Sequence, residues 1–322
     1  MQRRPLPHSE IDVSRVGLGT LAWGRDVDQN TSRKLLKAFV DAGGNLIDTA
    51  PTYSSGIAER LIGSALRHIV PRESLVIATK AGLSVDEGRQ AIDTSRVSLL
   101  RELDASLERL GTSYVDIWQV HAWGDAPLDE TLSALDYAVS SGKARAVGVC
   151  NYVGWQLGTA TAWQLSSETR AMLTTAQNEY SLLARRCEVE VLPAVTYHEL
   201  GFFAWSPLGR GVLTGKYRGA PVPETSRGAS PAFSWFVEPY LQPRCDAIVD
   251  AVTHAASGLE VTPEQIALSW VRDAPAVTSA LVGPRTLDHL KSLLAAEDVE
   301  LPPIITSALD DITGGPNELR EL

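Results

Sequence analysis

A closed parallel (β/α)8 barrel, built as one domain over residues 1–322, is the fold class that this sequence predicts. Three observations lead to it. Eight short apolar runs of strand length recur along the chain, amphipathic segments of helical spacing separate them, and the connections between the two are short. A length of 322 residues accommodates such a barrel, which needs about 250 residues before insertions.

In order, the strand-like runs are Ser14 to Thr20, Leu46 to Ala50, Leu75 to Lys80, Tyr114 to His121, Ala146 to Asn151, Leu173 to Glu179, Gly201 to Pro207 and Ser279 to Gly283. Leu99, Leu103, Leu107 and Leu110 mark the buried stripe of one intervening helix; Leu132, Leu135, Ala138 and Val139 mark another. Helical spacing first begins near Asp28. The segment after Val261 opens with a capping box, in which Thr262 caps, Pro263 starts the first turn and Gln265 reaches back. From Leu208 to about Pro243 the chain is rich in Gly, Pro, Ser and aromatics, without periodicity. A connection this long, following the seventh strand, reads as a lid over a ligand.

Composition narrows the class. Apolar residues make up 44% and charged residues 21%, as in a soluble globule with ample core. A formal charge of −10 speaks against nucleic acid, whose binding relies on Lys and Arg neutralising phosphates. No apolar stretch approaches the ~20 residues that cross a bilayer. Met1-Gln2-Arg3-Arg4-Pro5 has no apolar region behind it, so no secretory signal is expected. Cys150, Cys187 and Cys245 are odd in number and scattered, which gives neither a disulfide framework nor metal-ligand spacing and fits a reducing cytoplasm.

Gly17-Leu18-Gly19-Thr20-Leu21-Ala22 matches a loose dinucleotide fingerprint, with Asp48 at the end of the next run. In a Rossmann domain the last positions of that motif begin the pyrophosphate-binding helix. Here Trp23, Gly24, Arg25 and Asp26 intervene, and six further strand-helix units follow. The match is a decoy.

The chemistry sits where the runs end. Asp48 lies at the end of the second run with Tyr53 just beyond it, Lys80 closes the third and His121 the fourth. In neighbouring parallel strands all four emerge on the catalytic rim. Each alone has an ordinary reading: Asp48 as a helix cap, Tyr53 as a packing residue with a wet tip, Lys80 and His121 as polar rim groups. Together they form a proton-donating site for a carbonyl oxygen. A free phenol, with a pKa near 10, is too weak an acid at neutral pH. A neighbouring Lys80 ammonium lowers that value, and Asp48 keeps Lys80 charged. His121 orients the carbonyl or shares the proton with Tyr53.

Gly44-Asn45-Leu46-Ile47-Asp48-Thr49-Ala50-Pro51-Thr52-Tyr53, with Gly56-Ile57-Ala58-Glu59-Arg60-Leu61-Ile62-Gly63, resembles the signature of the aldo-keto reductase superfamily. Ala78-Thr79-Lys80, Val147-Gly148-Val149-Cys150-Asn151, Gln177-Asn178-Glu179-Tyr180 and the run Trp205 to Lys216 extend the resemblance over essentially the whole chain. It implies a (β/α)8 TIM barrel, a nicotinamide cofactor held without a Rossmann domain, and reduction of an aldehyde or ketone with Tyr53 as general acid. It further implies that Cys150, Asn151 and Gln177 bind the nicotinamide carboxamide and that Trp205 stacks on the ring. Ser206, Pro207, Leu208, Arg210 and Lys216 are then placed along the pyrophosphate. Gly283 and Arg285 are placed at the adenosine end, with Arg285 gripping a 2′-phosphate. NADPH (NADP+) is therefore expected over NADH.

Two departures from the family pattern stand out. His289, Ser292 and Leu293 occupy positions where relatives often carry Gln, Glu and Asn for the adenosine. Ser54-Ser55 follow Tyr53 where many relatives have Gly. Trp23 and Trp123, with Phe233, Trp235 and Phe236, are candidate walls for a small-molecule carbonyl substrate and equally candidate loop anchors. Two other functions remain open at this point. One is a nicotinamide-binding redox-sensing partner with little turnover, as in the potassium-channel β-subunits, although a long N-terminal extension is missing here. The other is an aldolase with Lys80 as Schiff-base nucleophile, against which the pairing with Asp48 argues.

Overall fold

A computed structural model describes residues 1–314 apart from 87, 88, 220, 225 and 232. Eight parallel strands close into a barrel: β1 Val16–Gly19, β2 Leu46–Asp48, β3 Val76–Ala81, β4 Val115–Val120, β5 Ala144–Cys150, β6 Leu173–Glu179, β7 Gly201–Trp205 and β8 Val277–Val282. Each pairs with its neighbours in sequence, and β8 returns to β1. The helices α1 Gln29–Asp41, α2 Ile57–Leu66, α3 Arg96–Leu110, α4 Leu128–Ser140, α5 Gly154–Leu165 and α6 Val191–Tyr197 fill the first six crossovers. The seventh holds the long loop and then α7 Pro243–Gly258 and α8 Pro263–Arg272; α9 Leu287–Ala295 and α10 Pro303–Thr313 follow β8. No helix among the described residues is long and apolar enough to cross a membrane.

Local signals explain the helix boundaries. Asp28 caps α1 by accepting from the Thr31 amide at 2.7 Å. Thr262 and Gln265 form the expected capping box of α8. Leu99, Leu103, Leu107 and Leu110 of α3 are buried against the barrel, as the stripe requires.

Strand alternation divides the core in two. Ile47, Ile77, Trp118, Val120, Val147 and Val149 face outward and pack under the helices. Leu46, Val76, Ala78, Ile117, Ala146, Phe203 and Leu281 fill the lumen. The antiparallel hairpin Arg3–Pro5 and Asp12–Ser14 closes the lower, N-terminal end by adding Leu6, Ile11 and Val13 to that inner cluster. It is fastened there by the Arg4 guanidinium, which donates to the carbonyls of Val277 and Arg272. A second hairpin, Leu83–Asp86 with Arg89–Ile92, rises from the opposite rim after β3.

Register keeps the upper lumen level: Lys80 pairs with Gln119, Gln119 with Gly148, and Cys150 with Gln177. Gly148 is required there. A Cβ on it would fall 1.9 Å from Thr175 Oγ1 and 2.4 Å from the Thr175 carbonyl oxygen. Gly148→Ala is expected to cost about 1–3 kcal/mol of unfolding free energy through overpacking. Urea denaturation measures it, and an unchanged midpoint would show that the lumen yields instead.

Candidate active site

The upper lumen gathers the acid, the phenol, the ammonium and the imidazole. Lys80 is fully buried, and its Nζ lies 2.7 Å from Asp48 Oδ1, 3.0 Å from the Thr49 carbonyl and 3.4 Å from Tyr53 Oη. Burial is the largest single influence and works against the ammonium, but the Asp48 carboxylate, acting with Tyr53 and Cys150, holds the group above the ordinary lysine value. The Tyr53 and His121 rings meet edge to face with centroids 6.4 Å apart.

Tyr53 enters from a tight turn after β2. Ser54 and Ser55 take left-handed conformations, φ 50° and 53°, and Gly56 follows at φ 82°. Side chains at positive φ cost about 1–2 kcal/mol each, so this turn carries strain where glycine would carry none. Burial raises the Tyr53 phenol to about 12. This reverses the expected net lowering: the Lys80 charge pulls the phenol down, but burial outweighs it and the Asp48 charge adds to the rise. Burial, then the Lys80 charge, pushes His121 down to about 3, so its ring is neutral near pH 7.

Beneath these groups runs a buried amide network. Gln177 Nε2 donates to Asp48 Oδ1 at 2.9 Å and to Gln119 Oε1 at 3.2 Å. Gln119 donates to Thr175 Oγ1 at 3.0 Å and accepts from the Cys150 thiol at 3.4 Å. Cys150 is fully enclosed, and burial holds its thiol well above the usual range. Asn151, exposed and at φ 58°, bridges two strand ends: its amide donates to the His121 carbonyl and accepts from Trp205 Nε1, both at 3.0 Å.

The long loop begins at Ser206, itself at φ 56°, and passes through Pro207 and Leu208 into Gly209, Arg210 and Gly211, all with positive φ. Arg210 is fully engaged. It grips Glu179 at 2.8 and 2.6 Å, donates to the Phe236 carbonyl at 2.6 Å and stacks on the Phe236 ring at 3.9 Å. Phe236 in turn lies nearly parallel to Trp205, with centroids 6.3 Å apart. Farther along, Arg227 approaches Gly283 at the end of β8, its Nη2 3.4 Å from where a side chain there would begin. Arg285 and Lys216 stand near it, and none of the three makes a salt bridge among the described residues. Enclosure by the loop, then repulsion from Arg285 and Arg227, lowers the solvent-reaching Lys216 ammonium to about 8. Phe233 of the same loop is stacked by Arg25, 3.7 Å away, from the loop after β1.

Residues 15–313 match the model of the aldo/keto reductase family. The chain belongs to that family. It is 32% identical to the aldo-keto reductase YhdN of Bacillus subtilis, over 91% of this chain and 88% of that one. It is 31% identical to a probable voltage-gated potassium channel subunit beta of Arabidopsis thaliana, over 97% and 96% of the two chains. It is 30% identical to an NADH-specific methylglyoxal reductase of Escherichia coli, over 94% and 95%. This aldo-keto reductase is thus a nicotinamide-dependent oxidoreductase.

Structure also reveals reductase residues that sequence reasoning passed over. Gln119 was within reach, since it shares strand parity with Ile117 and His121 in the fourth run. Glu179 and Arg227 carried no periodic signal. Among the candidate walls, Trp23 is enclosed at 1% exposure, whereas Trp123 stays partly open and meets Tyr152 and Trp155 edge to face. Trp155 was also passed over.

The neutral His121 gives the reductase a stability that depends on pH. Its folded value is about 3, while an unfolded histidine titrates near 6.5. Between the two, the unfolded chain takes a proton that the folded one refuses, so stability falls as pH drops below 6.5. Relative to His121→Gln, wild type is expected to lose about 2 kcal/mol between pH 7 and pH 5. Parallel pH dependences of the two urea midpoints would contradict it.

Proposed function

We propose that this protein reduces the carbonyl of a small-molecule aldehyde or ketone to the alcohol, with NADPH preferred over NADH and Tyr53 as the proton donor. The observation that carries the reading is the convergence of Lys80 on Asp48 at 2.7 Å and on Tyr53 at 3.4 Å, beside a neutral His121. A phenol raised to about 12 keeps its proton over the whole working range and releases it only to a strong base, such as the oxyanion of a carbonyl being reduced. Lys80 then stabilises the phenolate left behind, and Asp48 fixes the ammonium in place. His121 Nδ1 is buried without a hydrogen-bond partner among the described residues, so the single proton of the neutral ring is better placed on Nε2 to orient the carbonyl.

The residues fit a nicotinamide dinucleotide, which when bound supplies the hydride. Trp205, Asn151 and Gln177 surround the upper lumen, with Cys150 behind Gln119 as part of the floor. Ser206, Pro207, Leu208 and the left-handed stretch after them offer backbone amides for the pyrophosphate. Arg210, held by Glu179, serves by pinning the loop. Lys216, Arg227 and Arg285, beside Gly283, form three cations that make no salt bridge among the described residues, although Asp26 and Glu264 lie near enough to act on Arg227 and Lys216, and the set suits a 2′-phosphate. That cluster favours NADPH, even though one relative is named for NADH. Trp123 serves as a wall for the substrate and Trp23 supports the wall from within. The intact group of Asp48, Tyr53, Lys80 and His121 favours turnover over a purely partner-binding role. A reducing compartment such as the cytoplasm suits the three free thiols.

Tyr53→Phe is expected to bind NADPH with unchanged affinity and to lose at least about 100-fold in kcat with an aromatic aldehyde. Undiminished turnover would remove Tyr53 as the acid. Arg227→Gln is expected to raise the Kd for NADPH about 10-fold or more while leaving that for NADH nearly unchanged. Equal losses for both cofactors in fluorescence titration would assign Arg227 to the loop alone.

A further inference from the structure

We propose that Glu59 is a positioning residue: clamped between Thr79 and Arg109, it holds the strained turn that carries Tyr53 and so sets the separation of Tyr53 from Lys80. The proposal rests on the reductase reading and adds to it a group that never touches the substrate.

Glu59 lies in the first turn of α2 and is wholly buried. A carboxylate there is costly unless it is paired and hydrogen-bonded, and both of its oxygens are engaged. Oε1 accepts from Thr79 Oγ1 at 2.7 Å, and Oε2 accepts from Arg109 Nε at 2.6 Å. Thr79 precedes Lys80 on β3, and strand alternation turns the two side chains to opposite faces. Lys80 enters the lumen while Thr79 reaches out to the helix layer. One carboxylate therefore binds α2 both to the strand that carries the ammonium and to the last turn of α3.

The same helix holds the phenol. The Ile57 amide, at the start of α2, donates to the carbonyls of Tyr53 and Ser54. Gly56 lies against the Arg109 side chain: a Cβ on it would fall 2.6 Å from Arg109 Cδ and 2.9 Å from Nε. The contacts thus close a ring. It runs from Tyr53 through Ile57, Glu59 and Thr79 to Lys80, and returns across the 3.4 Å between Lys80 Nζ and Tyr53 Oη.

That ring matters because the turn would not keep its shape unaided. Ser54 and Ser55 are left-handed without being glycine, and Ser54 Oγ is buried with no hydrogen-bond partner among the described residues. Both features favour some other backbone path, and such outliers persist only where their surroundings over-determine them. The clamp at Glu59 supplies that constraint on the α2 side. Released, the turn would relax and carry Tyr53 away from Lys80, and a misplacement of about 1 Å is enough to slow a reaction severely.

Glu59→Gln tests this, because an amide oxygen can accept from Thr79 or from Arg109 but the amide nitrogen cannot accept from the other. Single-turnover reduction of benzaldehyde by the preformed NADPH complex is measured in H2O and D2O, so that product release does not enter. The rate is expected to fall about 10-fold and its solvent isotope effect to rise, with the Kd for NADPH and the KM for benzaldehyde within about twofold of wild type. Ser54→Gly with Ser55→Gly, which removes the strain, is expected to restore most of the lost rate in the Glu59→Gln background. Arg109→Lys, which keeps the charge but not the Nε contact, serves if Glu59→Gln fails to fold, and is expected to show the same slowing and the same rescue. Arg72→Met, at the pair with buried Asp116 at the opposite end of the barrel, is expected to lower the urea midpoint and leave the single-turnover rate unchanged. A wild-type rate in Glu59→Gln would overturn the proposal, as would a loss with an unaltered isotope effect that the two glycines do not relieve. No reduction of benzaldehyde by wild type would overturn the reductase reading and the positioning role with it.

Discussion

One buried charge organises this molecule. An ammonium inside a barrel lumen is too costly to leave alone, and Lys80 is held there by the Asp48 carboxylate and the Thr49 carbonyl. Asp48 is steadied by Gln177, Gln177 reaches Gln119, and Gln119 takes in Cys150 and Thr175. Five strands therefore contribute to keeping one charge in place. The same charge helps to keep His121 neutral and opposes the rise of the Tyr53 phenol. Moving Lys80 would disturb every protonation state on the rim.

Around that charge the fold separates two kinds of precision. Asp48, Lys80, Gln119 and Gln177 sit on strands locked in register by neighbours on both sides, so their spacing belongs to the barrel itself. Arg210, Lys216, Arg227, Phe233 and Phe236 belong to the loop after β7, fixed by a few side-chain contacts and by left-handed residues. Proton chemistry needs atoms placed within tenths of an ångström, whereas recognition of a large ligand tolerates a segment that adjusts.

Much of this was legible in the sequence. Apolar runs located all eight strands within a few residues, because a parallel barrel strand is covered on both faces and reads as a continuous apolar segment. Asp48, Lys80 and His121 announced themselves as polar groups at strand ends, and Tyr53 by following one. What stayed hidden depended on three dimensions. Gln119 needed strand parity to be told from an ordinary polar interruption. Arg210 read as a pyrophosphate ligand, and its ion pair with Glu179 stayed hidden because that partner lies 31 positions away on another strand end. The expected lowering of the Tyr53 phenol is overturned: burial raises it despite the Lys80 charge, and neither burial nor the opposing Asp48 charge can be weighed from spacing alone. The hairpin that closes the lower end, at Arg3–Pro5 and Asp12–Ser14, is too short to show a period.

That hairpin has a wider meaning. With Leu6, Ile11 and Val13 stoppering one end and apolar side chains filling the lumen above them, the bottom of the barrel is solid core. The buried charge therefore rests on a floor of packed hydrocarbon, and a change in that floor reaches Lys80 as a change in stability before it reaches it as a change in chemistry.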